Sequence, residues 1–212
     1  PLSLAEVAKL LQLPEGVHAI VQGDVAVGQA LVDHPAVSKV AFTGSSTVGK
    51  AILAACAGSA KRVSVEMSGH DALIVWDDVD LDTAVEAALF ASFTNNGQVC
   101  TSAERIYVHA GIFDAFAGRF AERVGALSVG DPLDVRTDVG PLVSRGHRAR
   151  IESYLAQAGR LGGQVLAGGA RVDGPGAFFQ PTVLAGLAHD QLNSLGEIFG
   201  PVAPLVLSLI HI

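Results

Sequence analysis

Apolar residues along this chain recur at two spacings, one helical and one extended, and the two alternate. Leu4, Val7, Leu10 and Leu11 fall on one helical face, and the run closes at Leu13-Pro14, where proline bars a further turn. Ser3, with Glu6 three residues on, forms a capping box for its start. Val17 to Val21 reads as a short strand closed by Gln22-Gly23-Asp24. Val25 to Val32 reads as a helix ended by His34-Pro35, and Ser38 to Phe42 as a buried strand. A glycine turn, Thr43 to Lys50, opens a helix through Ala57, and Arg62 to Val65 is a further β-rich run.

After Glu66 the pattern restarts with a strand at Ala72 to Val75. Asp77, Asp78 and Asp80 then lead into a helix over Leu81 to Phe93, where carboxylates suit the positive end of the helix dipole. A strand over Arg105 to His109, a helix over Ile112 to Val124 and a helix from about Arg145 to Leu161 follow. Gln164 to Ala167 is a short strand, Gly168 to Gly176 a hairpin-like loop, and Gln180 to Leu184 the last apolar run before the final segment. No internal repeat is visible. Strand and helix alternating at this pace predict βαβ units, an α/β fold of three layers with parallel sheets.

Composition narrows the function classes. The 212 residues are 50% hydrophobic and 17% charged, which is globular and unlike a disordered chain. A net charge of −7, with no basic run longer than Lys61-Arg62, argues against nucleic acid as a partner. No apolar stretch is long enough for a membrane span, and no signal peptide is expected at Pro1. Two cysteines, Cys56 and Cys100, stand in unlike contexts, so a reducing, cytoplasmic setting is expected rather than a disulfide framework. The seven histidines show no metal-ligand pairing, so no metal site is expected.

Three places carry candidate chemistry. Cys100 ends the stretch Phe93-Thr94-Asn95-Asn96-Gly97-Gln98-Val99-Cys100, a polar loop past an apolar helix where a thiol can be exposed and flanked by backbone N–H donors. The bland alternative is a small buried hydrophobe. Gly44-Ser45-Ser46-Thr47-Val48-Gly49-Lys50 follows a strand and opens a helix, the context in which backbone N–H groups meet a phosphate. Its spacing matches most of a P-loop but fails at Ala51, where a Mg²⁺-binding hydroxyl belongs, so dinucleotide binding is favoured over nucleotide hydrolysis. Glu66, at a strand end beside Ser68-Gly69, can project into a cleft. Glu197, in Gly196-Glu197-Ile198-Phe199-Gly200-Pro201, reads by itself as a turn carboxylate beside a packing phenylalanine.

Taken in order, Val40-Ala41-Phe42-Thr43-Gly44-Ser45, Glu66 with Gly69, Phe93-x-Asn95-x-Gly97-Gln98-x-Cys100 and Glu197-Ile198-Phe199-Gly200-Pro201 resemble the aldehyde dehydrogenase superfamily. The resemblance runs from Pro1 to about Pro204. It implies an oxidoreductase that converts an aldehyde to a carboxylic acid with NAD or NADP. Residues 1–66 would be the second half of the NAD(P)-binding domain and 67–212 the thiol-bearing catalytic domain. Cys100 would attack the aldehyde and form a thiohemiacetal and then a thioester, which Glu66 would help to hydrolyse. Ser45, with Gly44, would take the cofactor pyrophosphate. Glu197 would hold the nicotinamide ribose with Phe199 near the ring, and Gly23 and Met67 would line the cofactor.

The same resemblance implies that the chain is an internal fragment of a homo-oligomeric parent, dimer or tetramer. The asparagine completing the oxyanion hole would lie upstream, and the fragment alone is expected to be inactive. Where the family usually reads Glu-Leu-Gly-Gly-Lys this chain has Glu66-Met67-Ser68-Gly69-His70; Gly196 replaces an acidic residue before Glu197, and the tail after Pro204 departs from the family. Two other readings use the same residues: a cysteine hydrolase or acyltransferase built on Cys100 and Glu66 without a dinucleotide, and a P-loop-like nucleotide binder.

Overall fold

The structure, a computed structural model, describes residues 2–208. It divides into two compact units, one through Ser68 and one from Gly69.

The first unit holds helices α1 (Leu2–Leu10), α2 (Val25–Asp33) and α3 (Ser46–Ala57) and strands β1 (Lys39–Thr43) and β2 (Arg62–Glu66). β1 and β2 pair in parallel from Lys39 opposite Arg62 to Thr43 opposite Glu66, with α3 as the crossover that parallel neighbours require. Local chemistry sets the helix ends. Asp24 accepts the Ala26 N–H at 3.0 Å to start α2, and Ser45 accepts the Val48 N–H at 3.4 Å to start α3. Lys61 Nζ donates to the carbonyls of Val32 and His34, the latter at 2.8 Å, so an ammonium meets the orphan acceptors at the end of α2. Cys56 is buried on α3, and the small-hydrophobe reading of cysteine fits it.

Three expectations change here. α1 begins at Leu2, ahead of Ser3, so Ser3 lies inside the helix rather than at its cap. Val17 to Val21 forms no strand; Val17 and Val21 are exposed, and an extended run without a paired neighbour has no ladder to define it. β1 is not buried but alternates exposed and half-buried positions, because a two-stranded sheet covers little of either face.

The second unit is built on a five-stranded sheet ordered β3 (Asp71–Val75), β4 (Ala103–His109), β7 (Val202–Ser208), β6 (Thr182–Ala185), β5 (Gln164–Ala167). All pairs are parallel except β5 with β6, the hairpin made by the glycine-rich loop. Side chains alternate across each strand, so Ile106 and Val108 face one side of β4 and Tyr107 the other. On the first side pack helices α4 (Leu81–Phe93) and α5 (Phe113–Gly125), through Val85, Leu89, Phe93, Phe116 and Phe120. On the second side pack α6 (Arg145–Arg160) and α7 (His189–Leu195), through Ile151, Tyr154, Ala158 and Leu192. The result is α/β in three layers. α7 has no counterpart in the sequence reading, because seven residues give too little periodicity to stand out.

This topology places the chemistry. β3, β4 and β7 are adjacent and parallel, so the segments that feed their first residues lie side by side at one end of the strands. Those segments are Gly69-His70, the Cys100 loop and the Glu197 turn. Residues 209–212, part of the tail that departs from the family pattern, lie outside the described residues.

Candidate active site

The Cys100 loop is shaped by a reversal of backbone hand. α4 ends at Phe93, and Asn95, Asn96 and Gly97 then take φ of 51°, 61° and 68°. Asparagine tolerates the left-handed region better than other side-chain-bearing residues, which explains the Asn-Asn-Gly run. The loop is laced internally: Asn95 Nδ2 donates to the Gln98 carbonyl at 3.1 Å, and Gln98 Nε2 to the Asn95 carbonyl at 3.2 Å. It is tied outward as well. Asn96 Nδ2 donates to the Gly140 carbonyl at 3.1 Å, and Gln98 Oε1 accepts the Val143 N–H at 2.8 Å. Cys100 follows in a turn closed by Ser102 N–H to the Val99 carbonyl at 3.0 Å, and it is exposed. Among the described residues no hydrogen-bond acceptor takes the Cys100 N–H.

Two glycines let backbone touch backbone around this thiol. A Cβ at Gly97 would stand 2.2 Å from the Gly200 carbonyl oxygen, and one at Gly69 would stand 2.3 Å from that of Cys100. The Cys100 loop therefore packs directly on the Glu197 turn and on Gly69. Replacing Gly97 with alanine combines that clash with a positive φ, and it is expected to lower unfolding free energy by about 2–4 kcal/mol in urea titration. The contrasting variant is Gly118→Ala on α5, where nothing lies within 4 Å of the added methyl. Relief of backbone entropy there is expected to raise stability by about 0.5–1 kcal/mol.

The Glu197 turn is held from several sides. Glu197 Oε1 accepts the Gly69 N–H at 3.1 Å. Phe199 has a φ of 51° and is half-buried. His147 Nε2 donates to the Phe199 carbonyl at 2.6 Å, and Arg150 Nη2 to that of Ile198 at 3.0 Å. Glu104, the second residue of β4, receives the Ile198 N–H at 2.9 Å and the Phe199 N–H at 2.7 Å. Burial pushes the Glu104 carboxyl up to about 7, against the downward pull of those two N–H groups. His70 Nε2 lies 3.8 Å from Glu104 Oε2. Burial and then Arg105 push His70 down, so at neutral pH this contact is not an ion pair.

In the first unit, Gly44 donates its N–H to the Glu66 carbonyl at 3.0 Å, tying the turn after β1 to the end of β2. Ser45 caps α3, and the Ser46 N–H donates to Ser68 Oγ at 3.3 Å. Met67 packs against Gly49 of α3, and Gly23 lies against Val27. Glu66 is the last residue of β2 and is exposed. The anticipated residues thus divide between the units: Gly23, Gly44, Ser45, Glu66 and Met67 in the first, and Cys100, Glu197 and Phe199 in the second. Glu104, His70, Arg150 and His147 were not anticipated. Only the charged pair Glu104-Arg105 opening an otherwise apolar strand hinted at the first of them.

The model of the aldehyde dehydrogenase family matches residues 1–208. The chain belongs to the aldehyde dehydrogenase family. It is 40% identical over 205 residues to a glutarate-semialdehyde dehydrogenase of Pseudomonas aeruginosa, covering 96% of this chain and 42% of that protein. A succinate-semialdehyde dehydrogenase [NADP(+)] of Escherichia coli is 42% identical over the same shares. Among solved structures, an E. coli NADP-dependent enzyme superposes with a TM-score of 0.93 at 41% identity, over 98% of this chain and 44% of that one. The chain thus spans less than half the length of the relatives it matches. No helix among the described residues is long and apolar enough to cross a membrane.

Proposed function

We propose that this segment carries the thiol, the hydrolytic base and part of the cofactor site of an NAD(P)⁺-dependent aldehyde dehydrogenase of full family length. The observation that carries this reading is an exposed Cys100 whose loop packs through Gly97 against the turn bearing Glu197 and Phe199, with Gly69 against the Cys100 carbonyl. Residues 1–66 belong to the NAD(P)-binding domain and residues 67–212 to the thiol-bearing catalytic domain. The working enzyme is a cytoplasmic homo-oligomer.

The residues present fit a dinucleotide. The start of α3 offers the Thr47 N–H and the exposed Ser45 hydroxyl, donor chemistry suited to a pyrophosphate, while the Ser46 and Val48 N–H groups are engaged by Ser68 and Ser45. Gly44, Met67 and Gly23 line that approach. Glu197 offers acceptor oxygens to ribose hydroxyls: among the described residues only Oε1 is engaged. Phe199 lies two residues on and would pack near the nicotinamide ring. The bound cofactor supplies the hydride acceptor.

The Cys100 thiolate attacks the aldehyde carbon, a C–S bond forms, and the carbonyl oxygen becomes an oxyanion. The Cys100 N–H stabilises that charge, jointly with an asparagine from the rest of the enzyme. Loss of hydride from carbon restores the C=O and leaves a thioester on Cys100. Glu66 then takes a proton from water, whose oxygen bonds to the acyl carbon. The C–S bond breaks, releasing the carboxylic acid and the thiolate.

The test is NAD(P)H formation at full family length with succinate semialdehyde, glutarate semialdehyde and betaine aldehyde, the compounds in the names of relatives. At least one is expected to be oxidised, and the 212 residues alone to give no NAD(P)H. Cofactor-independent ester or amide hydrolysis with no aldehyde oxidation would place the chemistry in the hydrolase class instead.

A further inference from the structure

Glu104 is a charged residue where the fold offers a cost and no evident structural return. It is the second residue of β4, is 4% exposed, and lies four residues after the thiol. Its carboxylate does not serve its own strand. Both oxygens reach across to β7's leading turn, where Oε2 takes the Ile198 N–H and Oε1 the Phe199 N–H. With Phe199 in the left-handed region, two successive N–H groups converge on one anion, the concave arrangement backbones use to bind anions. The carbonyls of the same two residues are held by Arg150 and His147. The turn is therefore clamped on both sides of the peptide that separates Glu197 from Phe199.

We propose that Glu104 is a positioning residue: by receiving the Ile198 and Phe199 N–H groups it fixes the turn that presents Glu197, and so sets the affinity for the cofactor's ribose. This rests on the reading of Glu197 as the ribose-binding carboxylate. An ordinary strand-opening residue would leave the two N–H groups to water or to a neutral acceptor. A carboxylate gives both a charge-assisted bond and fixes the direction of each.

The groups facing Glu104 are Glu197 on the turn itself, His70 ahead of β3, and Arg150 and Tyr154 on α6. Of these, Glu197 raises its carboxyl and Arg150 lowers it, both less than burial does. When Glu104 takes a proton, one oxygen changes from acceptor to donor and meets an N–H. The clamp thus loosens as pH falls through about 7. The stability sign is opposite. A carboxyl held above its ordinary 4.5 favours the folded state in its protonated form, so this contribution to stability falls as pH rises from 4.5 to about 7.

The experiment compares Glu104→Gln, Glu197→Gln and the double variant with the parent sequence at full family length. It reads the dissociation constants of NAD⁺ and NADP⁺ by fluorescence titration from pH 6 to 8, and the rate of Cys100 alkylation by iodoacetamide. For Glu104→Gln, the expected result is cofactor binding weakened by about tenfold, with alkylation unchanged and the parent's loss of affinity below pH 7 abolished. The double variant is expected to bind no more weakly than Glu197→Gln, because Glu104 acts through that residue. Should Glu104→Gln not fold, Arg150→Gln removes the second clamp from an exposed position, with a smaller weakening expected. Parent-like binding in Glu197→Gln would overturn the ribose reading and the proposal with it. Weakened binding in Glu197→Gln beside parent-like binding in folded Glu104→Gln, or in Arg150→Gln where that replaces it, would overturn the proposal alone.

Discussion

Cys100→Ser at full family length is expected to lower aldehyde oxidation by about three orders of magnitude or more, while the dissociation constant for NAD(P)⁺ stays as in the parent. A hydroxyl at this position keeps the size of the side chain and loses the thiolate, and serine is a weak nucleophile unless a base removes its proton. Folding should not confuse the result. Cys100 is exposed in a turn, and its loop is held by Asn95, Asn96 and Gln98 rather than by the thiol, so stability should change by no more than about 0.5 kcal/mol. Steady-state NAD(P)H formation, with urea unfolding of the same samples, checks both halves. The buried Cys56 serves as the control thiol, since it packs inside the first unit and has no assigned chemistry.

Glu66→Gln separates the two halves of the reaction. Glu66 ends β2, and its backbone carbonyl receives the Gly44 N–H, an interaction glutamine keeps. Only the basic oxygen is lost. Thiol attack and hydride departure do not need that base, but activation of the hydrolytic water does. The expected outcome in rapid mixing is a burst of NAD(P)H stoichiometric with Cys100, then turnover slowed by about 10²- to 10⁴-fold. A parent-like steady rate would remove Glu66 from the hydrolytic step, and loss of the burst would move its role to the thiol attack.

What could be read from the chain follows from how local each feature is. Ser45, Asp24 and Asp80 cap helices through bonds to residues two or three positions away, and the sequence carries such signals in full. The Asn95-Asn96-Gly97 reversal is equally local, so the loop ahead of Cys100 was legible as a loop. Val17 to Val21 has the composition of a strand, but strandhood is a property of pairs. The helix α7 is too short for its apolar residues to establish a period.

Glu104 marks the deeper limit. Its partners are the N–H groups of Ile198 and Phe199, which every residue but proline possesses, so no side-chain pattern records them. They are reached because β4 and β7 are neighbours in a sheet whose strand order departs from chain order. The same adjacency brings Gly97 against Gly200 and Gly69 against Cys100. Motifs far apart in the chain could be recognised one by one. That they meet at one end of the sheet's strands is a consequence of topology.

The central claim is that substrate is bound covalently to Cys100 during turnover. Its most direct measurement is mass spectrometry of Glu66→Gln at full family length, mixed with aldehyde and NAD(P)⁺, quenched in acid and digested. The predicted result is one acyl group on the peptide that carries Cys100, absent from Cys100→Ser and absent when cofactor is omitted. An unmodified Cys100 peptide while NAD(P)H is being formed, or an acyl group found on another residue, would contradict it.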